Sequence, residues 1–149
     1  MIDGAVLHPV APTDPTLVAL TTAQQAELAA LYGEDQPLVT PHPDTAFTLL
    51  LVDGTPVGCI GLQPVTSELG EIKRLYVEPS SRGWGLSRLL LTAVENQAVD
   101  QGLTTLRLET GTEQHAAIAL YTGHGYQPIP AYPPFEDEPA SLCFAKLLS

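Results

Sequence analysis

The residues Arg82-Gly83-Trp84-Gly85-Leu86-Ser87 place two glycines, an arginine and a serine in a loop between a predicted strand and a predicted helix. Glycine lets backbone N–H groups approach a ligand closely, and the start of a helix attracts anions. The local charge agrees with such a role. Residues 1–72 contain no Lys or Arg, whereas Lys73, Arg74, Arg82 and Arg88 fall within sixteen residues that hold one acid, Glu78. In a chain of formal net charge −11 this island points to a local anion site, with a solvated basic face as the alternative.

Three kinds of phosphate site share the order strand, glycine loop, helix. A Walker loop requires Gly-Lys-Ser/Thr after a longer spacer, and no Lys follows here. A dinucleotide fingerprint requires a third glycine where Arg88 stands, and Glu109 supplies only the ribose-binding acid. Coenzyme A is the third candidate.

Arg82, Gly85 and Ser87 occupy the places of a motif that reads Arg or Gln, two residues, Gly, one residue, then Gly or Ala. Over roughly residues 45–147 the chain resembles the GNAT superfamily of N-acetyltransferases, with serine departing from the last motif position. Glu71-Ile72-Lys73-Arg74-Leu75-Tyr76-Val77-Glu78-Pro79 is similar to that family's fourth strand, and Ala117-Ile118-Ala119-Leu120-Tyr121 followed by Gly125-Tyr126 to the helix with its catalytic tyrosine. The resemblance implies that acetyl-CoA is the co-substrate. Its pyrophosphate is expected on Arg82, Gly83, Trp84, Gly85, Leu86 and Ser87, its pantetheine arm along Leu75, Tyr76 and Val77, and a further contact at Gln114. It also implies transfer of the acetyl group to a primary amine of a small molecule or peptide by direct attack on the thioester. Glu71 would accept the amine's proton through water, Tyr121 would protonate the departing sulfur, and N–H groups of residues 75–77 would polarise the carbonyl.

Each residue has a plainer reading beside this one. Glu71 could be a solvent-facing carboxylate, Tyr121 a core tyrosine, and Trp84 a cover for the loop or a platform for adenine. A competing function is a domain that retains coenzyme A as ligand or sensor without turnover, although such a binder needs neither Glu71 nor Tyr121. His8, His42, His115 and His124 show no metal-ligand spacing, so no metal is expected. Glu136-Asp137-Glu138 reads as a solvated loop, or as a lure for a cationic amine.

The elements that must position these residues are legible from periodicity. A strand is expected over 5–10, followed by prolines and a helix that opens near Thr21-Thr22, with Gln24 and Gln25 completing a capping box, and that stops at Gly33. Residues 37–43 read as loop. Strands over 47–52 and 57–62 flank Asp53-Gly54, a hairpin turn, and a third antiparallel strand covers 70–77. Leu86, Leu89, Leu90, Ala93, Val94 and Ala98 recur at helical spacing up to Gly102. A strand over 104–109 should then lie parallel to 70–77, because a helix crosses between them. A second amphipathic helix covers 116–121, a Pro-rich stretch 128–139, and a last strand 142–147. The expected fold class is α/β (α+β), with a mixed, mostly antiparallel sheet, two splayed parallel central strands and flanking helices in a single domain over 1–149. The acceptor pocket is expected from the loops 31–43 and 129–139.

Composition bounds the rest. Of 149 residues, 44% are hydrophobic and 15% charged, enough for one core and inconsistent with wholesale disorder. The acidic balance disfavours nucleic acid and anionic membrane as partners, and no apolar run is long enough to span a bilayer. With no cationic, apolar leader at Met1-Ile2-Asp3, a cytoplasmic location is expected. Cys59 and Cys143 read as buried free thiols. The acceptor is the expected partner, with a homodimer as a further option.

Overall fold

The computed structural model describes residues 3–34 and 40–148. Strand β1 (Ala5–Val10) leads to helix α1 (Pro15–Tyr32), then strands β2 (Ala46–Val52), β3 (Thr55–Pro64) and β4 (Leu69–Val77). Helix α2 (Leu86–Asp100), strand β5 (Thr105–Gly111), helix α3 (His115–Gly123) and strands β6 (Gln127–Ile129) and β7 (Ser141–Leu147) complete the chain. The seven strands form one sheet in the order β1-β2-β3-β4-β5-β7-β6. Every neighbouring pair is antiparallel except β4 and β5. The expected mixed sheet is therefore present, and its parallel pair is central.

Helix α1 starts earlier than expected. Asp14, not Thr21 or Thr22, is its cap: the carboxylate accepts from the N–H groups of Thr16 at 2.9 Å and Leu17 at 3.1 Å. Pro15 follows at the first helical position, where its missing N–H is no loss. The Thr21 hydroxyl instead donates back to the Leu17 carbonyl at 3.1 Å inside the helix. The helix ends, as expected, at Gly33, whose φ of 74° is left-handed and whose N–H reaches the Ala29 carbonyl at 2.9 Å.

Alternation along the strands assigns side chains to the two faces of the sheet. Leu50, Ile60, Leu62, Ile72, Leu106 and Leu108 pack with Leu86, Leu90, Leu91 and Val94 of α2. Phe47, Leu49, Cys59 and Tyr76 pack with Leu17 of α1. Glu71, Lys73, Arg107 and Glu109, which alternate with Ile72, Leu106 and Leu108, thus fall on the face that bears α1.

Two irregularities of β4 prepare a cleft. Pairing of β4 with β5 stops after Leu69↔Thr105, Gly70↔Leu106 and Glu71↔Arg107, so the two strands separate beyond Glu71. On the other side, the β3 register jumps from Cys59↔Tyr76 to Gly61↔Lys73, which puts an extra residue in β4 and a left-handed φ of 56° at Arg74. No helix of the described residues is long and apolar enough to cross a membrane.

Candidate active site

A cavity of about 1000 Å³ opens where β4 and β5 separate. It is lined by Glu71, Leu75, Tyr76, Val77, Arg82, Gly83, Gly85, Leu86, Ser87, Gln114 and Tyr121 among others, so nearly all the expected site residues meet in one place. Trp84 does not join them; it is 71% exposed and lies outside the lining. All four cations of the basic island, Lys73, Arg74, Arg82 and Arg88, line the same cavity.

Three of these cations are placed by different contacts. The Arg82 guanidinium donates through Nε to the Val77 carbonyl at 2.8 Å and through both terminal nitrogens to Glu27 of α1, at 2.7 Å each. This two-pronged contact holds the Glu27 carboxyl below the usual carboxylate range. Arg74 donates to Gln25 at 2.6 Å, and Gln24 donates to the Leu75 carbonyl at 3.0 Å. The wall formed by α1 is therefore tied to β4 and the glycine loop by polar contacts. Lys73 contacts Glu71.

The glycine loop fits an approaching phosphate. Gly83 and Gly85 have left-handed φ of 90° and 81°, and a Cβ added at either would meet nothing within 4 Å. Space therefore lies open in front of the backbone that leads into α2, whose first N–H groups have no side-chain cap. Those features, with the gap between β4 and β5, are what a long, anionic cofactor such as coenzyme A requires.

Tyr121 is held by its neighbours. It is 7% exposed, its ring meets Tyr126 edge-on at 5.9 Å between centroids, and its carbonyl accepts from the Tyr126 N–H at 3.0 Å. Burial pushes its phenol well above the usual range, and the nearby Glu109 charge adds to the effect. At neutral pH the Tyr121 phenol is consequently protonated.

Glu71 is not solvent-facing. It is 4% exposed, with Arg107 Nε at 3.0 Å from one carboxylate oxygen and Lys73 against the other. Arg107 in turn stacks on the ring of Tyr132, 3.8 Å from its centroid. Glu109 also lines the cavity, as do Glu27 and Glu113, and the sequence suggested it only as a ribose ligand in a fingerprint that did not fit. One of its oxygens accepts from the Ser141 hydroxyl at 2.8 Å. Burial pushes its carboxyl above the usual carboxylate range, and the Ser141 bond pulls it only partly back. The alternation of β5 was the available signal, since it places Glu109 on the same face as Arg107, opposite Glu71.

Comparison with known proteins matches this geometry. A sequence-family model described as the acetyltransferase (GNAT) family covers residues 14–126. An IAA acetyltransferase of Azospirillum brasilense is 39% identical over 108 residues, which are 71% of this chain and 70% of that protein. A crystal structure named for an acyl-CoA N-acyltransferase of Klebsiella pneumoniae superposes with a TM-score of 0.85 at 37% identity, covering 97% of this chain and 98% of that one. A GNAT family acetyltransferase of Elizabethkingia anophelis, solved with acetyl-CoA bound, shares the fold at a TM-score of 0.76 and 20% identity, covering 99% and 100% of the two chains. The chain belongs to the GNAT family of acetyltransferases. It is an acyltransferase, and acetyl-CoA is its co-substrate.

Proposed function

We propose that the chain acetylates a primary amine of a small molecule by direct attack of that amine on the acetyl thioester, in the cytoplasm. The observation that carries this reading is the convergence on one cavity of a glycine loop, a buried tyrosine and a raised carboxyl. Acetyl-CoA supplies the activated acetyl group. The chain's own residues supply the proton transfers and the placement. Gly83, Gly85 and the start of α2 hold the phosphates, with Arg82, Leu86 and Ser87 shaping that loop and Leu75, Tyr76, Val77 and Gln114 lining the arm.

An ammonium must lose a proton before it can attack, and of the glutamates that line the cavity Glu71 and Glu109 are the buried pair on its central strands. Glu71 reaches it with both oxygens engaged by Lys73 and Arg107. Glu109 is favoured as the base because, among the described residues, the Ser141 hydroxyl is its one hydrogen-bond donor and its carboxyl is tuned upward, toward the range in which a base works near neutrality. Tyr121 donates its proton to the leaving sulfur. The nitrogen–carbon bond forms as the carbon–sulfur bond breaks; the ammonium gives one proton to the base before attack and a second as the amide forms, and this second proton replaces the one that Tyr121 gives to the thiolate. Neither cysteine suits an acyl-enzyme route: burial pushes the Cys59 thiol up to about 12 and raises that of Cys143 as well, which keeps both protonated. Two buried free thiols also suit a reducing compartment.

The test is to incubate the protein with acetyl-CoA and a panel of amines, polyamines, amino acids and peptides while following free thiol. Release that depends on a small amine supports the reading. Acetyl-CoA binding without amine-dependent release across the panel would favour a coenzyme A sensor instead.

A further inference from the structure

The acceptor half of the cavity has two unlike walls. Thr45, Gln63 and Lys73 line it from the side of β2, β3 and β4, whereas Glu109 and Glu113 line it from the side of β5 and the turn before α3. Thr45 is 4% exposed, and its hydroxyl is a buried oxygen without a hydrogen-bond partner among the described residues. Such a group is costly unless something completes its hydrogen bonding. Gly61 pairs with Lys73, and a Cβ there would meet Phe47 Cε1 at 2.7 Å and Thr45 Cγ2 at 3.1 Å. Gly61 therefore puts no side chain beside Lys73, and Phe47 and Thr45 pack over its backbone on the same face.

The charges divide in the same way. Lys73 of β4 and Arg107 of β5 share the carboxylate of Glu71, and of these two cations only Lys73 lines the cavity. An ammonium has three donors, and Glu71 leaves Lys73 with donors to spare. Opposite lies Glu109, close enough that the Lys73 charge acts on it. Lys73 thus offers spare donors from the β4 wall, whereas Glu109, one oxygen of which accepts from Ser141, and Glu113 offer carboxylates from the other. A dipolar ligand matches that pattern better than a simple amine, which would leave the Lys73 side unanswered.

We propose that the acceptor is an amine that carries its own carboxylate, an amino-acid-like zwitterion, with the carboxylate held by Lys73 and Thr45 and the amine directed to Glu109. This rests on the amine-acetylation reading above. Glu71 thereby acquires a positioning task, since it fixes the cations that recognise the acceptor.

The experiment uses matched pairs that differ by one carboxylate: L-phenylalanine and phenethylamine, L-leucine and isopentylamine, L-lysine and cadaverine. Thiol release gives kcat/KM, and calorimetry on the protein loaded with coenzyme A gives binding. The carboxylate-bearing member of at least one pair should have a kcat/KM higher by about tenfold or more, because a site built around a polar group discriminates against the analogue that lacks it. Lys73→Met should abolish that preference through KM, and Lys73→Arg should restore most of it, with melting temperature and circular dichroism showing that both variants fold. Equal or faster turnover of the decarboxylated amine in every pair would overturn the inference while leaving acetyl transfer intact, as would a preference that survives in Lys73→Met. Carboxylate-selective binding without thiol release would support this inference and sink acetyl transfer. Neither selective binding nor release would sink both.

Discussion

Tyr121 contributes one thing that phenylalanine lacks, a proton, and its surroundings are built to keep that proton in place. The ring is fixed by Tyr126 and Phe144, and burial keeps the phenol neutral. Tyr121→Phe should retain acetyl-CoA affinity and lower turnover by about 10²-fold or more, the range for loss of a general acid. Calorimetry and thiol release on the same preparation check it, and unchanged turnover would remove the assignment. For Glu109 the sign of the pH dependence can be worked out. Its folded carboxyl binds a proton more tightly than in the unfolded chain, so the stability it contributes is present at low pH and is lost as pH rises through its raised value. Glu109→Gln should therefore melt higher than the parent at neutral pH, with the difference closing in acid. In the parent, turnover should rise with pH along a limb above the ordinary carboxylate range. Glu109→Gln should be about 10²-fold slower at neutral pH and recover in alkali, where the amine is already uncharged. If Glu71→Gln shows that recovery and Glu109→Gln overlays the parent, the roles are reversed. The sequence displayed Tyr121 through its neighbours in the chain. It hid the setting of Glu109, because Ser141 and Tyr121, which define it, are distant along the chain and meet it only once β7 and α3 pack.

Among the elements, the strand–glycine loop–helix unit was the most legible, because left-handed glycines and helical spacing are local signals. Gly85 also tests it. A methyl group at φ 81° meets nothing within 4 Å, so Gly85→Ala should fold with a penalty of roughly 1–2 kcal/mol from the left-handed backbone alone. That penalty corresponds to a melting temperature lower by about 3–6 °C in a chain of this size. Acetyl-CoA affinity should fall by about tenfold or more, since the methyl occupies the space a phosphate needs. Calorimetry showing parental affinity in a folded Gly85→Ala would remove the phosphate-site argument. Two other elements were harder to read. The run Pro9, Pro12, Pro15 looks like a breaker, yet Pro15 begins α1 under the Asp14 cap. Strand β6 has only three residues with Pro128 at its centre, and it exists because it lies at the sheet's edge, where a missing N–H costs no ladder bond. Of the two loops expected to shape the acceptor pocket, Thr40, Pro41, His42, Pro134 and Phe135 line the cavity, while 35–39 lie outside the described residues.

On the scale of the whole molecule, the sheet does the positioning. Three rungs join β4 to β5 and then pairing stops, which creates the gap; α1 covers one side of the same face and is tied to the loop through Glu27 and Arg82. The parallel neighbours were legible from the crossover helix, whereas the point of divergence was not, because it depends on a register that no local pattern encodes. The central claim is that acetyl passes from thioester to amine without resting on the protein. Rapid-mixing measurement of thiol release, with and without an acceptor amine and paired with intact-mass analysis of the protein, tests it most directly. The account predicts no stoichiometric burst without amine, no acetylated protein, and steady release once amine is added. A burst of one thiol per chain without amine, matched by an acetyl group on the protein that amine then removes, would contradict it.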